Sequence, residues 1–226
     1  MDIKDYINQG TAFFQQGKFG QALENFEEAL KIQPGNEDLR QMVEMMRMQA
    51  SHASNANQAC INEAKQRAEA MGITDVDKAI DEYTEALKLT PNDASAKSRL
   101  ASAYYIRGLT FTSKGEHNRA VEDYSEAIKN EPDYPLAINN RGWANLEIGN
   151  YDQAIADFQK MIQFKPDDNR PKQNLAKAYM KRGIAYDQKG DYDHAIPDFE
   201  MVLKLEPGNN TARELLEMAK AEMAKK

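Results

Sequence analysis

One cysteine, Cys60, is the whole thiol content of this 226-residue chain, so no intramolecular disulfide can form, which fits a reducing compartment. Histidine is nearly as scarce. His52, His117 and His194 stand in unrelated contexts, with no Cys/His pairing at metal-ligand spacing. There is no glycine-rich phosphate loop and no nucleophile elbow, and the acids are spread along helix faces. The chain therefore reads as non-enzymatic, with no cofactor and no metal. No apolar run approaches the roughly 18 residues of a membrane span, and the opening MDIKDYINQG lacks the charged-then-apolar layout of a signal peptide. Positive charge is in deficit, 29 Lys and Arg against 36 Asp and Glu, for a net charge of −7. Nucleic-acid surfaces that track phosphates are strongly basic, so this balance argues against one and serves solubility instead. The expectation is a soluble, cytoplasmic protein.

What the chain does have is repetition. In the stretch from Asn139 to Asp168, Ala154 and Phe158 fall one helical turn apart, Tyr151 precedes them, Gly149 punctuates the turn before, and Pro166 stops the helix. Upstream, Ile138, Arg141, Gly142 and Asn145 mark one face of a first helix. The stretch reads as helix, turn, helix, with small residues where two backbones approach. The same later signature recurs as Ala22/Phe26/Ala29/Pro34, Ala79/Tyr83/Ala86/Pro91, Ala120/Tyr124/Ala127/Pro132, Ala154/Phe158/Met161/Pro166 and Ala195/Phe199/Val202/Pro207. A first-helix glycine accompanies four of the five, as Gly10, Gly108, Gly142 and Gly183; the second has Arg67 there.

This pattern resembles the tetratricopeptide repeat family, whose units place Leu-Gly, Tyr, Ala-x3-Phe and Pro over about 34 residues. The resemblance implies an all-α, right-handed superhelical solenoid of antiparallel helix pairs that binds other proteins. Five pairs exceed the roughly three needed for a stable stack. The segments are repeat 1 at 3–36, an extra Met-rich helix and linker at 37–59, a degenerate repeat 2 at 60–93, repeat 3 at 94–134, repeat 4 at 135–168, repeat 5 at 169–209, and a capping helix at 210–226.

Proline spacing supplies further detail. Pro34 and Pro91 are 57 residues apart, which demands an extra helix, and Leu39, Met42, Val43 and Met46 give it an amphipathic stripe. The small polar stretch 51–57 reads as a break, or as the weak middle of one long helix. Later closing prolines follow at 41, 34 and 41 residues, so repeats 3 and 5 each carry seven extra residues. Seven is about two helical turns, or roughly 10 Å, and preserves facing. The extensions, 94–100 and 169–175, are expected to be helical and to project beyond the edge of the stack. The segment 60–134 aligns with 135–209 at a displacement of 75, which indicates duplication of a short-plus-long pair of repeats.

In the first helices, Tyr104, Gly108 and Phe111, Ile138 and Gly142, and Tyr179, Gly183 and Tyr186 serve packing on the partner helix. The neighbouring stripe carries Tyr105, Leu109, Trp143, Leu146, Met180 and Ile184, and the family resemblance places it on the concave wall. Large apolar residues there point either to a peptide-binding groove, since exposed apolar patches mark interaction sites, or to packing between adjacent first helices. Some members of the family clamp an acidic chaperone tail with a Lys/Asn/Asn/Lys/Arg set. Asn140, Lys177 and Lys181 look similar to part of that set, whereas Tyr105 and Leu109 stand where it has Lys and Asn. Arg107, Arg141 and Arg182 each precede an acid by 16 residues, namely Asp123, Asp157 and Asp198, and are read as a structural ladder. The functional expectation is a non-enzymatic scaffold or co-chaperone-like adaptor for a protein or peptide partner. Its alternatives are a homo-oligomeric scaffold that self-associates through repeat 1 or the 37–50 helix, and an enzyme.

Overall fold

The computed structural model describes residues 2–15, 19–47 and 75–225. Among these residues every regular element is an α-helix. The Cys60 position, the 51–57 stretch and the first helix expected in repeat 2 lie outside the described residues. The chain divides into two compact units, 1–64 and 65–226.

In the first unit α1 (Ile3–Gln15) pairs with α2 (Phe19–Ile32), and a further helix, α3, occupies residues 37–47. Ala22, Phe26 and Ala29 of α2 and Leu39, Val43 and Met46 of α3 are buried together, with Ile3, Tyr6, Ile7 and Phe13 of α1 packed against them. The spacing of Leu39, Val43 and Met46 puts them on one face, and Met42 and Met45, off that face, are 39 % and 49 % exposed.

The second unit contains α4 (Val76–Leu89), α5 (Ala94–Ser113), α6 (His117–Asn130), α7 (Pro135–Glu147), α8 (Tyr151–Phe164), α9 (Asn169–Asp187), α10 (Tyr192–Leu205) and α11 (Asn210–Met223). Each packs on its sequence neighbours through short connections, as consecutive antiparallel helices do. The two kinds of helix start differently. Before α5, α9 and α11, an Asx residue two positions after the closing proline caps the helix: Asp93 accepts from Ser95 and Ala96 N–H, Asp168 from Arg170 N–H and Asn209 from Ala212 N–H. α7 instead begins on Pro135, whose fixed φ suits the first helical position. α6, α8 and α10 follow tight turns through Gly115, Gly149 and Gly190, at φ 74°, 83° and 72°, which only glycine adopts without strain.

Within the pairs α1/α2, α5/α6, α7/α8 and α9/α10 a second-helix ring is packed tightly against a first-helix glycine. A Cβ on Gly108 would stand 2.6 Å from Tyr124 Cε1, one on Gly142 2.9 Å from Phe158 Cε1, and one on Gly183 or Gly10 2.8 Å from Phe199 or Phe26. Beside this contact runs the arginine ladder. Arg107 donates through Nε and Nη2 to the two oxygens of Asp123, both at 2.8 Å; Arg141 does the same to Asp157 at 3.0 and 2.7 Å, and Arg182 to Asp198 at 2.8 and 2.6 Å. The carboxylates are buried, so these bidentate pairs satisfy charges that would otherwise be costly.

The remaining Nη1 of each arginine crosses to the preceding repeat, and the heptad extensions decide where it lands. α4 covers the N-terminal part of the 20-residue α5 while α6 covers its C-terminal part, so the two second helices are staggered along it by about 9 Å. Arg107 therefore reaches Asp77 in the first turn of α4 at 2.7 Å, and Arg182 reaches Asp152 in the first turn of α8. On the 13-residue α7 there is no stagger, and Arg141 meets Ser125 at mid-helix, 3.3 Å away. The extensions are helical, yet they do not project as bare edges. Ala96, Leu100 and Leu175 are 7 %, 5 % and 4 % exposed and Pro171 is buried, because α4 and α8 run alongside them.

Two stability measurements follow. Gly108→Ala drives a methyl into a fully buried ring, so overpacking of about 1–3 kcal/mol should outweigh the ~1 kcal/mol gained in helix propensity. Gly20→Ala, with nothing within 4 Å, should stabilise; denaturant melts of both variants check the contrast. Arg141→Met should cost about 3–5 kcal/mol by stranding the Asp157 carboxylate, and adding Asp157→Leu should recover most of that loss.

Candidate functional site

The first helices α5, α7 and α9 lie side by side. Asn140 Nδ2 of α7 donates to Tyr105 Oη of α5 at 3.3 Å; Lys181 of α9 pairs with Glu147 of α7 at 3.4 Å. Helical geometry aims this face. Because Gly142 must meet Phe158, the next residue, Trp143, is turned about 100° toward the neighbouring first helix. Its ring meets Phe158 edge-on at 5.7 Å and 70°, and Lys177 Nζ of α9 sits 5.3 Å from its centroid.

The nine residues expected at the site divide in two. Tyr105, Leu109 and Leu146 are 3 %, 6 % and 2 % exposed, so they offer almost no surface to a partner. Tyr105 is enclosed by the rings of Tyr124 at 5.9 Å and Tyr134 at 5.1 Å. For these three the packing alternative describes the structure: a ring from the α6–α7 connection and a second-helix ring cover Tyr105, and Leu146 is taken into the core cluster of Ile155, Phe158, Leu175 and Tyr179. Asn140, Trp143, Met180, Lys181 and Ile184 are half-buried and Lys177 is exposed, so these six, on α7 and α9, keep accessible surface, with Met180 and Ile184 also packed toward α10 and α11. Leu136, 39 % exposed in the first turn of α7, was not picked out in the sequence.

Electrostatics separates the structural from the available charges. Arg107 and Arg182 are held further above the ordinary guanidinium range by hydrogen bonds to Asp123 and Asp198, against the opposing cost of burial, and by Asp77 and Asp152 beside them. They remain charged and engaged on both sides. Burial pushes the Tyr104 phenol up, so it stays neutral. A cleft of about 560 Å³ opens between the first turn of α8, at Tyr151 and Asp152, and the end of α9, at Arg182 and Tyr186. Among the described residues no three His, Cys, Asp or Glu gather to hold a metal ion, and no helix is long and apolar enough to cross a membrane.

The comparisons fit this architecture. The tetratricopeptide repeat model matches residues 3–36 and 176–209, and a second model of the same description matches 107–169, so the chain belongs to the tetratricopeptide repeat family. It is 27 % identical over 180 residues to Protein O-mannosyl-transferase TMTC1 of Homo sapiens, covering 74 % of this chain and 20 % of that protein. It is 32 % identical over 94 residues to the heat-shock protein cognate (HSC) co-chaperone sgt12 of Aspergillus fumigatus, covering 42 % of this chain and 26 % of the relative. The chain thus spans about a quarter or less of these relatives' own length. The second tetratricopeptide domain of human RPAP3, solved in complex with the HSP70 peptide SGPTIEEVD, is 33 % identical, with 52 % of this chain and 92 % of that domain covered and a TM-score of 0.35.

A feature the repeat signature does not reveal stands at the start of α10. His194 Nδ1 lies 2.8 Å from both oxygens of Asp191, and its ring stacks on Tyr186 at 5.0 Å and 28°. The Asp191 hydrogen bond and charge raise the imidazole above its usual value of 6.5. Since the folded value exceeds the unfolded one, the pair's stabilising contribution is complete below about pH 6.5 and is lost as pH rises through the folded value. His194→Gln should therefore lower Tm more at about pH 5.5 than at about pH 8.5, as thermal melts at the two values would show.

Proposed function

We propose that this chain is a non-enzymatic, co-chaperone-like adaptor whose α7–α9 face holds a segment of a partner protein. The carrying observation is Trp143, the chain's one tryptophan, half-buried beneath Lys177 and packed, like Met180 of the neighbouring α9, against the core cluster of Leu146, Phe158, Leu175 and Tyr179. A tryptophan with part of its ring accessible on a rigid layer supplies large contact area at low entropic cost, and tryptophan is enriched in interface hot spots. Tyr105, Leu109 and Leu146 back this face from below, while Asn140, Lys177 and Lys181 supply polar contacts. Similarity to an HSC co-chaperone supports the adaptor reading. The cytoplasmic setting expected from the sequence stays with it. Similarity to a mannosyltransferase spans 20 % of that enzyme and carries no activity to this chain.

A second reading rests on α3, whose Met42 and Met45 are exposed. Methionine suits adaptable contacts, so this face could join two copies of the chain. Light scattering over a concentration range decides it: a constant monomer mass removes self-association.

The adaptor reading is tested on a partner captured from the native extract and repurified. Trp143→Ala should weaken that complex by about 2 kcal/mol, roughly thirtyfold, with helicity retained. An unchanged affinity, or loss of the fold with Trp143→Ala, would move the binding surface elsewhere.

A further inference from the structure

The two helix layers of the second unit carry opposite charge. Counting formal side-chain charges, the first helices α5, α7 and α9 sum to +3, 0 and +4, or +7 together. The second helices α4, α6, α8 and α10 sum to −2, −1, −1 and −2, or −6 together. Removing the three Arg–Asp pairs that lock each repeat still leaves +4 against −3. In a chain of net charge −7 the layer that also carries Trp143 is thus net positive, because its helices hold only two acids, Glu147 and Asp187. Attraction to this layer persists over about 10 Å at ordinary salt.

We propose that the occupant of the α7–α9 face is an acidic internal protein segment, recognised through its side-chain carboxylates and not through a free C-terminus. This rests on the adaptor reading above and names the partner's chemistry. A terminal carboxylate needs several uncommitted donors at one point, and the polar groups here are each already engaged. Asn140 already donates to Tyr105, Lys181 is paired with Glu147, and Lys177 lies over the Trp143 ring. On α5 the position equivalent to Lys177 is Ser102, and the one equivalent to Asn140 and Lys181 is the buried Ile106. Cations spaced along α9, with the Met180 thioether between them and the Trp143 indole beside them on α7, match a segment in which acidic and apolar residues alternate. The apolar content also separates this face from a phosphate track, which requires dense cationic contacts.

The test uses the full chain and the fluorescence of Trp143, which no other indole obscures. The probes are short peptides of alternating glutamate and leucine: one acetylated and amidated, one acetylated with a free C-terminus, and one capped with glutamine replacing glutamate. Both glutamate peptides should shift the emission saturably, with affinities within about twofold of each other. The glutamine peptide should bind at least about tenfold more weakly, and Lys177→Glu with Lys181→Glu should erase that difference. A loss of about tenfold or more on amidation overturns the internal-segment claim. Equal binding of the glutamate and glutamine peptides overturns the acidic claim and leaves the adaptor reading standing, whereas silence from every peptide overturns both. Tighter binding of a thymidine oligonucleotide than of the glutamate peptides would assign the face to nucleic acid and overturn the proposal.

Discussion

Close approach of two helices at a glycine is the constraint on which the rest of this structure depends. In each pair with an intact glycine, a phenylalanine or tyrosine ring occupies the place of the missing side chain, closer than any real Cβ could tolerate. That contact fixes both the separation and the rotation of the helix pair. The residue before the glycine and the residue before the ring are then brought together. In repeats 3 to 5 these are arginine and aspartate: Arg107 with Asp123, Arg141 with Asp157, Arg182 with Asp198. In repeat 1 the same positions are Gln9 and Asn25, so the ion pair is not needed to make the helix pair. Its added role is to tie one repeat to the one before, through the third donor of the guanidinium.

Insertion in units of seven changes what that third donor finds. Two extra turns on α5 and α9 keep every side chain on its face but slide the preceding second helix along by the same two turns. The arginine then meets an aspartate at the start of that helix, where a negative charge also suits the macrodipole. Arg107, Asp77 and Asp123 recur as Arg182, Asp152 and Asp198 at one displacement, 75 residues, so a whole inter-repeat joint repeats at that period. The stack is locked by polar bonds at its centre, and the faces of its first helices are left to vary.

Much of this was legible in the sequence. The alanine, aromatic and proline spacing identified the repeats, the 41-residue intervals identified the long helices, and the 16-residue Arg–Asp intervals identified the ladder. The Asx residue two positions after Pro34, Pro91, Pro166 and Pro207 was an equally clear marker of helix starts. The site was legible only in part. Periodicity placed Tyr105, Leu109 and Leu146 on the same stripe as Trp143 and Met180, but a stripe does not determine exposure. Tyr105 is covered by Tyr134, a residue of a connection with no place in the repeat signature, and the protection of Leu100 and Leu175 comes from a stagger that intervals along one chain do not display.

The central claim is that the second helices and the arginine ladder hold the stack in register while the α7–α9 face remains available for a partner. Hydrogen exchange on the full chain, with and without a partner purified from the native extract, tests it most directly. New protection confined to 136–147 and 177–188, with α6, α8 and α10 unchanged, is the result the account predicts. Protection concentrated on α6, α8 and α10, with α7 and α9 unaltered, would contradict it.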